Sequence, residues 1–248
     1  MYSFQPRTLP RPQVGGVQAL PFLRRVYLLF TGSIAFAIAG ALAALYAGTP
    51  TEAHLGPGVT VALPPLVAFG VEHWFITLAL YFGAFIAASM LRRARGINVV
   101  ALFGYGLVTG LFIAPSLFFA QLMASHGHTL DPSPVRDAFL LTGAAFVGLS
   151  SYALITRRDF SALGAALSIG LWVLLAAMIL GIFIHAQVFQ LAIASVGVLL
   201  FAGYILYDTS RILREGEDDA VGAALRLFLD VVNLFLFLLR ILASSRDR

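Results

Sequence analysis

The sequence predicts an all-α integral membrane protein, a bundle of seven transmembrane helices, and three observations lead there. Of the 248 residues, 60% are hydrophobic and only 11% are charged, with a mean hydropathy of +0.90. That is the composition of a chain whose solvent is largely lipid. The apolar residues gather in runs that reach the ~20 residues a helix needs to cross the hydrocarbon core. The 16 basic residues are all arginine, and eleven of them fall in the N-terminal tail or between alternate runs.

Residues 1–25 form a polar, Pro-rich tail carrying Arg7, Arg11, Arg24 and Arg25. The apolar run from Val26 to about Ala47 is longer than the core of a signal peptide and is read as a retained first helix. Residues 48–70, rich in Gly and Pro, are expected to form a loop. Spans follow at about 72–92, 97–123, 137–156, 160–184 and 187–208, with a seventh at about 219–242. The domain organisation is therefore a tail (1–25), a seven-helix domain (26–242) and a short polar end (243–248). The seventh span carries Arg226, Asp230, Asn233 and Arg240, which suits the middle of a bundle better than a lipid-facing position. In the third span, Gly106 and Gly110 make a GxxxG pair that permits close helix approach. Small residues are also simply common in this chain. Trp172, in the fifth span, is expected in the core.

The tail is basic, as are the segments after the second span (Arg92, Arg93, Arg95), the fourth (Arg157, Arg158) and the sixth (Arg211, Arg214). The intervening segments carry only Arg136. This alternation predicts a cytoplasmic N-terminus. Seven spans then leave the C-terminus outside, against which Arg240, Arg246 and Arg248 argue. Arginine-only usage and short tails suit a bacterial inner-membrane protein.

Composition also excludes. With no cysteine, disulfides, thiolate metal sites and cysteine nucleophiles are out. With no lysine, a retinal Schiff base is out. No basic patch with interleaved aromatics appears, so no nucleic-acid partner is expected.

The chemistry lies in the last third. Asp208 sits in Gly203-Tyr-Ile-Leu-Tyr-Asp-Thr-Ser-Arg-Ile212, and Asp230 in Leu227-Phe-Leu-Asp-Val-Val-Asn-Leu-Phe-Leu-Phe-Leu-Leu-Arg-Ile-Leu242. A carboxylate at membrane depth costs ~2.5–3.5 kcal/mol on insertion scales. Two of them point to a use. The second span ends at Arg92 and the sixth at Asp208, so both groups are expected at the cytoplasmic end of the bundle. Asp230 is expected ~18 Å into the seventh helix.

Those two motifs resemble the signature of the Bax inhibitor-1 family of transmembrane proteins, in the form of its bacterial members. The likeness is close over about the last fifty residues and consistent in span count over the rest. The resemblance implies a central seventh helix surrounded by six, and a pH-dependent calcium conductance sensed by an aspartate pair. By motif these are Asp208 and Asp230, with Arg92 as the closing latch. One departure is Phe228, where the family often has tyrosine.

Two carboxylates sharing a dry site do not both ionise cheaply, whereas a nearby arginine favours the charged form. The expectation is a leak channel closed when ionised Asp208 pairs with Arg92 and opened by protonation. Calcium is the expected permeant ion because it prefers carboxylate and carbonyl oxygens. Asp208 and Asp230 would hold it only in transit, which a leak requires. Asn233, Tyr204 and Arg226 are candidate pathway-lining residues; packing within the bundle is the other reading for Asn233 and Tyr204. The structural alternative pairs Asp208 with Arg211 and Asp230 with Arg226 within their own helices.

Partners on this reading are the bilayer, calcium ions, protons and a further membrane protein, with no cofactor and no enzymatic activity. Other classes stay open: a calcium/proton exchanger, a regulatory protein that acts on another membrane protein, or an intramembrane aspartyl protease. Against the last, Leu-Phe-Leu precedes Asp230 in place of the glycine-framed motif of those enzymes. His126, His128 and Asp131 have metal-like spacing but supply too few ligands for a zinc site. Glu215, Glu217, Asp218 and Asp219 lack the ligand alternation of an EF-hand and suit a helix N-terminus. Glu72, His73 and Trp74 fall where the second span meets the interface, Trp74 as an anchor and Glu72 as a candidate for gathering cations.

Overall fold

The computed structural model describes residues 16–56, 59–125, 131–156, 158–215 and 219–246. Among these, α1 (Gly16–Tyr46) leads to an antiparallel hairpin, β1 (Thr51–Gly56) and β2 (Val59–Leu63), and a short α2 (Pro65–Glu72). Six long helices follow: α3 (Trp74–Leu91), α4 (Ile97–Ala124), α5 (Ser133–Thr156), α6 (Leu163–Phe183), α7 (Gln187–Glu215) and α8 (Ala220–Arg246). All but α2 are long and apolar enough to cross a membrane, giving seven candidate spans. The all-α membrane bundle expected from the sequence is the architecture observed.

Several boundaries differ from the sequence reading; α5 starts early, at Ser133, and α8 runs to Arg246, into the expected polar end. Helix α1 begins at Gly16, inside the expected tail, and Phe22 and Leu23 pack on the core while Arg24 and Arg25 stay exposed. Residues 1–15, with Arg7 and Arg11, lie outside the described residues, as do Arg157 and Arg248. The expected 48–70 loop is instead the hairpin and α2, because Leu63 and Val67 are buried against Ala114 and Phe118 of α4. Helix α7 runs seven residues past Asp208, to Glu215. A polar last turn lowers hydropathy without ending a helix that has left the hydrocarbon.

The spans form two groups around α8. Helix α4 packs on both α1 and α3, and α7 packs on both α5 and α6. Helix α8 lies between them, against α1, α4, α5 and α7, and is the most enclosed span, with half of its most apolar stretch buried. The outer helices α3 and α6 reach it chiefly through α4 and α7. Trp172 of α6 is accordingly 75% exposed to the bilayer side rather than in the core.

The glycine pair in α4 has a structural use. A Cβ at Gly106 would lie 2.6 Å from Ser33 O, and one at Gly110 would meet Ala37 O and lie 2.7 Å from Ala41 N. Gly40 of α1 returns the contact on Leu107 O. Backbone therefore meets backbone where α1 and α4 cross, the close approach that small residues permit.

Candidate functional site

Helix α7 is antiparallel to α8 and joined to it by only four residues, 216–219, so groups at similar depth in the two helices meet. Asp208 lies seven residues before the end of α7 and Asp230 ten residues after the start of α8, about 10 and 15 Å inside the bundle. Both are buried, at 4% and 5% exposure. They approach within side-chain interaction range of each other. The carboxylate pair anticipated from the sequence is therefore brought together. Asp230 Oδ2 is enclosed and accepts no hydrogen bond from the described residues.

The arginine beside them is Arg226, whose Nε is 3.3 Å from Asp208 Oδ1. Its charge also acts on Asp230. The expected Arg92–Asp208 pair is not what the structure holds: Arg92 Nε lies 3.4 Å from Asp219 Oδ2. The reason is depth. Arg92 caps the C-terminal end of α3 and meets the residue before α8, whereas Asp208 is two turns further in. Ending the sixth span at Asp208, as hydropathy suggests, puts Arg92 and Asp208 level; the two further turns of α7 separate them. The alternative reading, an intrahelical pair of Arg226 with Asp230, is only half of the role of Arg226, since its salt bridge crosses to Asp208 of α7.

Asp219 does two things. Its Oδ2 faces Arg92, and its Oδ1 accepts the Gly222 N–H at 2.8 Å, capping α8. In the sequence it is legible only as part of an acidic cluster, of which Glu217 and Asp218 lie outside the described residues.

Around the carboxylates the walls are aromatic and hydroxylic. Tyr204, one turn before Asp208, is near enough for both carboxylates to act on its hydroxyl. Phe228 is fully buried and stands edge-on to Tyr105, with centroids 5.7 Å apart. Tyr105 donates to the Tyr81 hydroxyl at 2.9 Å. Thr209 and Ser150 meet at 3.4 Å across α7 and α5, beside Tyr27, and Ser210 Oγ donates to Arg158 O at 3.3 Å. None of Tyr27, Tyr81, Tyr105, Ser150 or Thr209 stood out in the sequence, because lone hydroxyls in apolar runs carry no spacing signal. Asn233 donates to Leu229 O of its own helix at 2.8 Å.

The remaining candidates separate from this cluster. Among the described residues no group of three or more His, Asp or Glu side chains gathers for a metal ion. His126 and His128 lie outside the described residues, and both carboxylate oxygens of Asp131 accept from Ser133 at 2.8 and 2.7 Å. Trp74 is half-exposed and stacks on Phe75 at 3.5 Å where α2 gives way to α3, as an interfacial anchor would.

Residues 20–247 match the family model described as inhibitor of apoptosis-promoting Bax1. An uncharacterized protein of Campylobacter jejuni is 34% identical over 230 residues, covering 92% of this chain and 90% of that protein. Protein lifeguard 4 of Mus musculus is 33% identical over 231 residues, covering 92% and 87%. A Golgi anti-apoptotic protein of vaccinia virus is 35% identical over 167 residues, covering 67% and 66%.

Proposed function

The chain belongs to the Bax inhibitor-1 family, and from that membership we propose that it is a pH-sensitive calcium leak channel. The observation that carries this reading is the buried Asp208–Asp230 pair with Arg226 against it, at the meeting of α7 and the central α8. With Asp208 ionised, the Arg226 bridge holds the two helices together and the path is closed. A proton shared by the carboxyls satisfies the enclosed Asp230 oxygen. Full protonation then releases Arg226 and raises the open population, because the bridge loses its charge. The Arg92–Asp219 pair ties α3 to the start of α8 at the mouth. Calcium passes the carboxylates without being held, since two carboxyl groups offer at most four oxygens, short of the six to eight it takes in a binding site. The arginine pattern supports a cytoplasmic N-terminus, and the bacterial relatives support an inner-membrane location.

The test is calcium entry into dye-loaded liposomes, in acidic and in mildly alkaline buffer, for the wild type, Asp208→Asn and Asp230→Asn. The expected result is acid-stimulated flux that loses its pH dependence in both variants. Flux that stays equally pH-sensitive in Asp208→Asn overturns the carboxylate gate. No flux at either pH from folded protein turns the assignment to a regulator of another membrane protein. The anti-apoptotic name of the viral relative favours that second reading.

A further inference from the structure

A cavity of about 750 Å³ opens at the end of the bundle opposite Arg92 and Asp219. Its wall comes from four helices: Ser116 and Met123 of α4, Met178 of α6, Gln190 of α7, and Asn233 and Arg240 of α8. Along α8 it extends from Asn233 to Ser244, ~16 Å at the standard rise. Its inner limit, Asn233, is three residues from Asp230, ~4.5 Å along the axis and on nearly the same face. The cavity thus ends one turn short of the carboxylate pair, approaching it from the opposite membrane face.

Arg240 carries the one permanent charge among the described lining residues, beside the titratable imidazole of His185, and it is held in place. Its Nη2 donates to Gln190 Oε1. Gln190 in turn donates through Nε2 to Gly181 O at 2.5 Å and Ile184 O at 2.9 Å, at the end of α6. An amide that spends its nitrogen on two carbonyls can offer only its oxygen to the arginine. Farther out, Gln187 donates to Ser244 at 3.0 Å, strapping the start of α7 to the end of α8. A guanidinium fixed this way sets the sign of the field in the cavity, and a divalent cation feels it twice as strongly as a monovalent one.

We propose that this cavity is the outer vestibule of the ion path and that Arg240, positioned by Gln190, is the charge filter that keeps divalent flux slow. The proposal rests on the channel reading above. The chemical class concerned is a hydrated divalent cation, which the filter repels, and small anions, which it draws in.

The chain has no cysteine, so single-cysteine variants in lipid nanodiscs report on the cavity without any flux. Met123→Cys and Asn233→Cys probe its wall, and Leu199→Cys, at a position 74% exposed on the bilayer side of α7, is the lipid-facing control. Each is treated with a cationic and an anionic methanethiosulfonate. Both wall cysteines are expected to react, the control is not, and the anionic reagent is expected to be faster. Adding Arg240→Gln should shift the rate ratio about fivefold toward the cationic reagent, while Arg240→Lys keeps it. In liposomes Arg240→Gln should raise calcium flux several-fold and leave its pH dependence as it was.

Wall cysteines that resist both reagents, in folded protein, mean a lipid-filled groove and overturn the vestibule. A rate ratio unmoved by Arg240→Gln overturns the filter. Thiol results as expected, with no calcium flux from any variant, overturn the channel reading and the filter's role with it, leaving a water-filled anionophilic cavity.

Discussion

Arg226 Nε lies 3.3 Å from Asp208 Oδ1, joining α8 to α7 by a charge pair between helices that lie next to each other in sequence and antiparallel in space. The aspartate side chain is 5% exposed and the arginine side chain 25%, so the pair is shielded but not sealed. Asp230 shares the same arginine.

Removing that arginine should therefore be felt in two ways. Arg226→Gln leaves buried carboxylates without their cation, at a cost near the low end of the ~3–5 kcal/mol seen for broken buried pairs. The arginine favours the ionised carboxylate, and the ionised state is the closed one. Because the bridge itself holds the path closed, its loss should raise flux in alkaline buffer and flatten the pH profile. Thermal unfolding and the liposome pH profile check both; an unmoved profile would detach Arg226 from gating.

Arg92 should behave differently. Its partner Asp219 is at the mouth and its own side chain is 41% exposed, so Arg92→Gln should cost less than about 1 kcal/mol and spare the pH dependence. At Asp219 the cap can be separated from the charge. Asp219→Asn keeps a good N-cap, whereas Asp219→Ala should lose about 1 kcal/mol. If Arg92→Gln abolished pH dependence as Asp208→Asn is expected to, the latch would be Arg92 after all.

The α1–α4 crossing predicts a contrast between two glycines on one helix. Any side chain at Gly110 meets α1 backbone, which cannot rotate away, so Gly110→Leu should destabilise by about 1–3 kcal/mol or more. A Cβ at Gly104 meets nothing within 4 Å, and Gly104→Ala should be neutral or stabilising by up to about 1 kcal/mol. Melting temperatures of the two variants in detergent decide it.

Phe228 fills the space between α8 and the Tyr105–Tyr81 pair. Truncation to alanine should cost about 3–5 kcal/mol, because the fully buried ring packs on Tyr105 of α4. A melting temperature close to wild type would mean that the neighbouring aromatics collapse into the gap.

How much was legible follows hydropathy. The seven spans were readable to within a few residues because length and apolarity are local properties. The end of α7 was missed because Thr209–Glu215 is polar yet still helical, and that error set Asp208 level with Arg92. The hairpin was missed because Gly48, with its positive φ of 88°, and the surrounding prolines read as loop, while the burial of Leu63 and Val67 that orders the segment is supplied by α4.

The membrane class, the number of spans, the family motifs and the two aspartates within spans are all legible along the chain. Which arginine meets which carboxylate, what Gly106 and Gly110 press against, and the cavity that stops one turn from Asp230 emerge only from the packing of the helices. The physical reason is range. Insertion into lipid sums over neighbours along one helix, whereas charge pairing and close packing depend on distances of a few ångströms between helices, which no spacing along the chain encodes.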